Sequence, residues 1–398
     1  MSVGRRQPPE GVHMNTTQDG IITLLKSAIT QQSLPLPAGF DMEEAFPVIK
    51  RHHIVTLAYD GAVRCGIPRQ AAKMQELFLS YCRGLQISER QMKELHRLFA
   101  AFEENKIDYL PLKGSKMKAL YPKPELRVMG DADILIRFEQ YDAIIPVMRQ
   151  LGFIEKRAND HELVWETDAL HLELHKLLIP SDVHDYYAYF RDGWHLAVPD
   201  AGTRYTMTKE NEFLFLFTHF AKHFRGSGIG CRHVVDLWVY LRHYPDLDMA
   251  YVEAELKKLD LLEFYRNIRC LIMAWFEDGE YDRKTELISE YIFENGNWGS
   301  RENGVLSQAL QDKDQTGLKR SYLRRKFFPG VRVLEEEYPV VKKQAWLIPL
   351  VWAIRPFHKV LSDPATVKRQ QQNLEVLTSE KLDDRQKMLQ EMGLQWRK

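Results

Sequence analysis

Two aspartates stand two residues apart in the run Val128–Ile136 (VMGDADILI). The alternation of apolar and polar residues predicts a strand. On a strand Asp131 and Asp133 share one face, and Ala132, Ile134 and Ile136 share the other. Two like charges at about 4 Å, in a medium of effective dielectric about 20, repel by about 4 kcal/mol. A divalent cation removes that repulsion, and a carboxylate donor set suits Mg²⁺, with Mn²⁺ as the alternative. A third acid follows in Ala169–Lys176 (ALHLELHK). Read as a strand, this run puts His171, Glu173 and His175 on one face and Leu170, Leu172 and Leu174 on the other. Glu173 could thus join Asp131 and Asp133 from a neighbouring strand. Three carboxylates can hold two metal ions.

Upstream, Gly114 and Ser115 lie between a short apolar run, Ile107–Leu112, and a short helical stretch, Lys116–Tyr121. Glycine lets a ligand approach the backbone, and a helix start offers free N–H groups and a partial positive charge. Such a place suits a triphosphate. Lys113 and Arg127 are the cations that could bind phosphate or orient this loop. His175 could tune or orient Glu173 as its neighbour on the strand. Further along, His219 and His223 are four residues apart and share a helix face. With Asp236 they could line an acceptor pocket or ligate a metal, against the plainer reading of interhelical hydrogen bonding.

The combined segment Leu112–Ile136 (LKGSKMKALYPKPELRVMGDADILI) resembles the active site of the DNA polymerase beta-like nucleotidyltransferase superfamily. The shared pattern is Gly-Ser, a spacer, Asp-x-Asp on a strand, and a later acid on another strand. More closely, the LKG, YP-P-LR, GDADILI and ELH motifs resemble the bacterial family described as uncharacterised nucleotidyltransferases, over roughly residues 20–360. The resemblance implies that Gly114 and Ser115 contact an NTP triphosphate. It implies that Asp131, Asp133 and Glu173 bind the metals, and that a nucleoside monophosphate passes to an acceptor hydroxyl. Two departures stand out: the spacer from Ser115 to Asp131 is long for the superfamily, and the third acid is Glu instead of Asp. Two other readings remain open. One is a nucleotide-binding or protein-interaction module without turnover, and the other is a metal-dependent phosphohydrolase using the histidine-rich helical region.

The elements that must position these residues are legible from hydrophobic period. Met92, Leu95, Phe99 and Phe102 repeat at helical steps, as do Glu44–Gly66 and Gln70–Leu85. A helix ending at Gly152 and three strands at Phe153–Lys156, Glu162–Glu166 and Leu170–Leu178 complete a small sheet unit. From Lys209 onward the pattern is helical again, with Phe213, Phe217, Phe220 and Phe224 at helix spacing. The expectation is an α+β fold, in which a small mixed sheet of nucleotidyltransferase type is flanked by N-terminal and C-terminal helical regions. Its expected segments are a tail over 1–19, helices over 20–106, the sheet core over 107–200, a helical domain over 201–298 and helices over 299–398. The run Gly226-x-Gly228-x-Gly230 follows no strand and reads as a turn. The charged stretch Thr366–Lys398 reads as an exposed helix, and Trp346–Ile354 as a buried one, with contact at a membrane surface as the alternative.

Composition narrows the partners. Lys+Arg and Asp+Glu are both 55, so the formal net charge is zero. A small molecule or protein acceptor therefore suits the chain better than nucleic acid. A basic cluster at Lys319, Arg320, Arg324, Arg325 and Lys326 reads as a solvated face, with an anionic acceptor or acidic lipid as the alternative. No apolar run reaches the roughly 18 residues of a membrane helix, so no stable membrane insertion is expected. The polar N-terminus lacks a secretory pattern, and Met14 is an alternative start. Cys65, Cys82, Cys231 and Cys270 lie far apart with no CxxC pair, which fits a reducing cytoplasm.

Overall fold

The structure, a computed structural model, describes residues 14–311, 317–338, 340–362 and 364–396. Of the tail expected over 1–19, residues 1–13 lie outside the described residues, and the first helix starts at Thr16. The chain divides into two compact units. One comprises the residues up to His223 together with Ile229–Trp298, and the other comprises Phe224–Gly228 together with Gly299 onward.

The first unit opens with four helices: α1 (Thr16–Thr30), α2 (Met42–Arg51), α3 (Val55–Arg64) and α4 (Met74–Glu104). Asn15 and Asp41 cap the first two by accepting hydrogen bonds from the backbone N–H groups of Thr17 and Glu43. The single helix expected over Glu44–Gly66 is two, because His53 turns the chain with φ of 54°. Conversely, the two helical stretches read between Gln70 and Phe102 merge into the 31-residue α4.

The sheet follows: β1 (Tyr109–Pro111), α5 (Lys113–Leu120), β2 (Ala132–Ile136), α6 (Tyr141–Gln150), β3 (Ile154–Ala158), β4 (Glu162–Glu166), β5 (His171–His175), α7 (His184–Phe190), β6 (Ala197–Ala201) and β7 (Arg204–Met207). The strand order is β3-β4-β5-β2-β1-β7-β6. β2 runs parallel to β5 and β1 parallel to β7, while the other neighbours are antiparallel, so the sheet is mixed. The α+β expectation holds. The β6–β7 hairpin was not read from sequence: Pro199, Asp200 and Gly202 break the strand pattern, and Tyr109 of β1 supplies the edge on which it forms.

Strand alternation gives the sheet two unlike faces. Ala132, Ile134 and Ile136 of β2 join Leu163, Trp165, Leu170, Leu172 and Leu174 in one buried cluster. Leu95, Leu98 and Phe102 of α4 and Ile144, Val147 and Met148 of α6 cover that face. The opposite face carries Asp133, Glu173 and His175. The remaining helices of this unit are α8 (Lys209–Arg225, whose last two residues fall in the second unit), α9 (Cys231–His243), α10 (Met249–Lys258), α11 (Leu262–Phe276) and α12 (Arg283–Asn295).

The second unit is helical: α13 (Arg301–Leu310), α14 (Leu318–Phe327), α15 (Val331–Glu337), α16 (Val340–Lys343), α17 (Ile348–Ser362), α18 (Pro364–Val376) and α19 (Ser379–Glu391). Val305, Leu306, Ala309, Tyr322, Leu377 and Leu382 form its core. Two expectations are corrected here. Within the stretch Thr366–Lys398 the described residues form the end of α18 and all of α19, with Leu377 between them and Leu382 and Leu389 of α19 buried beneath the charged surface. The run Trp346–Ile354 is not buried: Trp346 is 74% exposed.

Candidate active site

Asp133 is placed by β2 and Glu173 by β5, and the two are Cα partners in a parallel ladder. Leu135 pairs with His175 two residues further on. Same-face residues on neighbouring strands are close by construction, so the acids meet without any loop having to hold them. Ligand atoms of Asp133, Glu173 and His175 all lie within 4.8 Å of one another. Asp133 is 4% exposed. Its Oδ1 accepts a hydrogen bond from Lys113 Nζ at 3.0 Å and lies 2.9 Å from His175 Nε2. Glu173 Oε2 is 3.5 Å from the same nitrogen.

Charge explains these contacts. Burial pushes the Asp133 carboxyl up, but the Lys113 ammonium and the His175 hydrogen bond hold it below the usual range. Asp131 lies one residue before β2 and is raised, first by burial and then by the neighbouring charges of Asp133 and Glu173. The repulsion expected from Asp-x-Asp is therefore present and falls on Asp131.

His175 belongs to a longer chain of contacts. Its Nδ1 is 3.3 Å from His161 Nε2, and His161 Nδ1 is 3.0 Å from Glu162 Oε2. Carboxylates close both ends, so each terminal imidazole nitrogen carries a proton. The central N···N contact needs one more, which makes one ring cationic. Burial lowers His161. Burial also opposes charge on His175, but the Asp133 and Glu173 hydrogen bonds raise it. Of the two rings, His175 is the one whose partners favour the charged form. The His161 hydrogen bond, more than any other influence, holds Glu162 down to about 2. His161 and Glu162 escaped sequence reasoning; the available signal was the start of β4, where Glu162 pairs with His175 and His161 directly precedes it.

The Gly-Ser element differs from the expected loop. α5 starts at Lys113, so Gly114 and Ser115 lie inside its first turn, at the end with free backbone N–H groups. Ser115 Oγ donates to the Leu112 carbonyl at 3.3 Å. Gly114 is there for close approach: a Cβ would meet Arg127 Nη1 and Met129 Cγ at 3.2 Å. Lys113 takes φ of 34°, a left-handed conformation that a side chain rarely adopts.

Arg127 and Asp236 come together, but away from the acids' own hydrogen bonds. Arg127 Nε and Nη2 donate to the two oxygens of Asp236 at 3.0 and 3.1 Å, and Tyr121 OH donates to Oδ1 at 2.7 Å. Arg127 and Asp236 are buried. The pair ties the segment before β2 to α9, which gives Arg127 a structural task in place of an open cation.

His219 and His223 meet through their Nε2 atoms at 3.0 Å. Burial, followed for His219 by Lys113 and for His223 by Lys222, lowers both well below the usual value, so both rings are neutral. Among the described residues, no metal-type cluster includes them or Asp236. Lys222 is a residue the sequence did not flag. Burial, then the charge of Lys113, lowers it to about 8, with Asp133 and Glu162 acting in the opposite sense. A pocket beside Lys113 is lined by Leu112, Met117, Met207, Phe215 and Leu216, with Lys116 and Glu212 among its polar residues.

The donor set fits a hard divalent cation: ligand atoms of Asp133, Glu173 and His175 converge, Asp131 bears the repulsion of Asp133 and Glu173, and Lys113 offsets part of it. His175, bonded to Asp133, fits the role of orienting a ligand. Among the described residues, no helix is long and apolar enough to cross a membrane. No curated protein and no solved structure matches the chain. A family model described as uncharacterised nucleotidyltransferase matches residues 38–277. The match is shorter than the span of roughly 20–360 suggested by resemblance, and it includes the whole sheet and the acid cluster. The chain belongs to this family of uncharacterised nucleotidyltransferases.

Proposed function

We propose that the chain transfers a nucleoside monophosphate from an NTP to an acceptor hydroxyl, releasing pyrophosphate. The observation that carries this reading is the in-register pairing of Asp133 with Glu173, one strand away from the first turn of α5. Asp131, Asp133 and Glu173 would hold Mg²⁺, or Mn²⁺ in its place. When bound, the cation neutralises phosphate charge and lowers the pKa of a bound hydroxyl.

The protein's own groups do the rest. Backbone N–H groups at Lys113–Ser115 cradle the phosphates, aided by the positive end of the α5 dipole. Lys113 and Lys222 add charge beside them, and His175 keeps the Asp133 carboxylate oriented. The acceptor lies on the Glu173 side, and its hydroxyl proton leaves to that carboxylate. A bond forms from the acceptor oxygen to the α-phosphorus as the bond to the bridging oxygen breaks, and the electron pair leaves on pyrophosphate. Catalysis of this kind is mostly positioning and charge stabilisation.

The test is calorimetry with ATP, GTP, CTP and UTP, each with and without Mg²⁺, on wild type and Asp133→Asn. Metal-dependent binding of one nucleotide, lost in the variant, supports the reading. Absence of binding by folded wild type counts against it. Binding without pyrophosphate release across an acceptor panel favours the module without turnover.

A further inference from the structure

The second unit carries a surface that globular helices do not normally show. Trp346 is 74% exposed, Leu350 53% and Ile354 51%. They lie four residues apart across the start of α17, so they form one stripe. Ala345, Pro349 and Ala353 are exposed alongside them. No charged residue stands on this face between Ala345 and Ile354.

The opposite face of α17 is the polar one, and it points inward. Arg355 is 7% exposed and grips Glu337 of α15 through Nε at 2.6 Å and Nη2 at 3.0 Å. Trp352 Nε1 donates to the Pro329 carbonyl at 3.1 Å, and its ring meets Phe328 edge-on at 5.8 Å. A bidentate Arg–Glu pair is a strong orienting contact. It fixes the helix with its apolar stripe outward, so the exposure is built into the packing. Phe327, Phe328, Val331, Val333 and Val340 extend the exposed apolar set.

The charge around the stripe names its occupant. Between Leu318 and Ser362 the sequence has ten Lys or Arg against three Glu, a net of +7 in a chain whose total is zero. Lys319, Arg320, Arg324 and Lys326 of α14 are exposed, as are Lys342 and Lys343, three residues before Trp346; the Arg325 side chain lies outside the described residues. We propose that α14 and the stripe of α17 form a docking surface for an anionic lipid bilayer. Tryptophan and aliphatic side chains enter the headgroup boundary while basic residues meet the lipid phosphates. α17 has 15 residues, about 22 Å at about 1.5 Å per residue. That is short of the roughly 30 Å hydrocarbon layer, so the helix lies along the surface. A second copy is disfavoured, because pairing would bring two +7 segments together. The surface falls outside the family match at 38–277.

The test is co-sedimentation of the full chain with vesicles of phosphatidylcholine alone or mixed with phosphatidylglycerol. The chain should pellet with the anionic vesicles, and less at high salt. Trp346→Ser with Leu350→Ser, and separately Lys342→Glu with Lys343→Glu, should each weaken binding by about tenfold or more. All four positions are exposed, so circular dichroism should be unchanged. No pelleting with anionic vesicles at low salt overturns the proposal. So does pelleting that both variants leave intact, or a wild-type dimer that the Trp346 variant dissociates without any vesicle binding.

Discussion

Asp133 and Glu173 face each other across parallel strands, and one imidazole, His175, touches both. This arrangement makes the two acids unequal. Asp133 is buried and held by Lys113 and His175, whereas Glu173 is only half-buried. Asp133→Asn should therefore abolish metal-dependent transfer and also lower stability, by about 1–3 kcal/mol, because Lys113 and the buried His175 lose their charged partner. Glu173→Gln should abolish transfer with a smaller stability change. Thermal melts and pyrophosphate release check both. Saturating Mg²⁺, at about 100 times its Kd, should raise wild-type stability by about 2.7 kcal/mol and leave Asp133→Asn unchanged.

The acids were legible because strand alternation is local. Leu170, Leu172 and Leu174 announce the inner face of β5, and Glu173 follows as its opposite. The partners of those acids were less legible. Lys222, on α8, lies nearly fifty residues beyond β5, and no sequence spacing connects it to Asp133. Arg127, four residues before Asp131, was read as binding phosphate or orienting the Gly114–Ser115 loop, and its Nη1 does donate to the Gly114 carbonyl at 3.4 Å. Its bond to Asp236 spans 109 residues of chain and only tertiary packing reveals it. Hairpin β6–β7 was missed for a similar reason: its pattern is weak, and the edge of β1 completes it.

The Arg127–Asp236 pair should behave as structure. Both groups are buried, and the contact is bidentate. Removing one partner leaves a buried charge uncompensated, so Asp236→Asn should cost about 3–5 kcal/mol. Arg127→Lys should fail to rescue, since an ammonium cannot span both oxygens. Urea denaturation measures the loss. A full-stability Asp236→Asn protein with altered nucleotide affinity would return Arg127 to the ligand site.

His52 sets an acid limit on the first unit. Its Nδ1 accepts from the Cys231 N–H at 3.1 Å, and Nε2 lies 3.1 Å from the Phe293 carbonyl, so the neutral ring donates through Nε2. Gly230 permits this approach, as a Cβ there would sit 2.8 Å from His52 Nδ1. Burial above all lowers His52 to about 4. The unfolded chain takes up this proton near pH 6.5, well before the folded one does. The stabilisation is thus complete above about pH 6.5 and is lost as pH falls toward 4, amounting to about 3 kcal/mol. His233, lowered to about 3, acts in the same direction. His52→Gln keeps a donor and an acceptor but cannot titrate. Its stability should fall less steeply between pH 6.5 and 4, as read by urea midpoints across that window.

Lys222 should show function bought at the expense of stability. Burial and the nearby Lys113 ammonium lower its pKa to about 8, which means that its charge is held against its own preference. Without a ligand, Lys222→Met removes that cost and should stabilise the chain by about 1–3 kcal/mol. With an NTP present, the same ammonium faces phosphate oxygens in place of Lys113 alone. The variant should then bind nucleotide about tenfold more weakly, about 1.4 kcal/mol. A raised melting temperature together with a raised KM is the expected signature. If the variant melts lower and binds nucleotide normally, the acids Asp133 and Glu162 outweigh Lys113 in setting the role of Lys222, and it is a structural ion-pair residue instead.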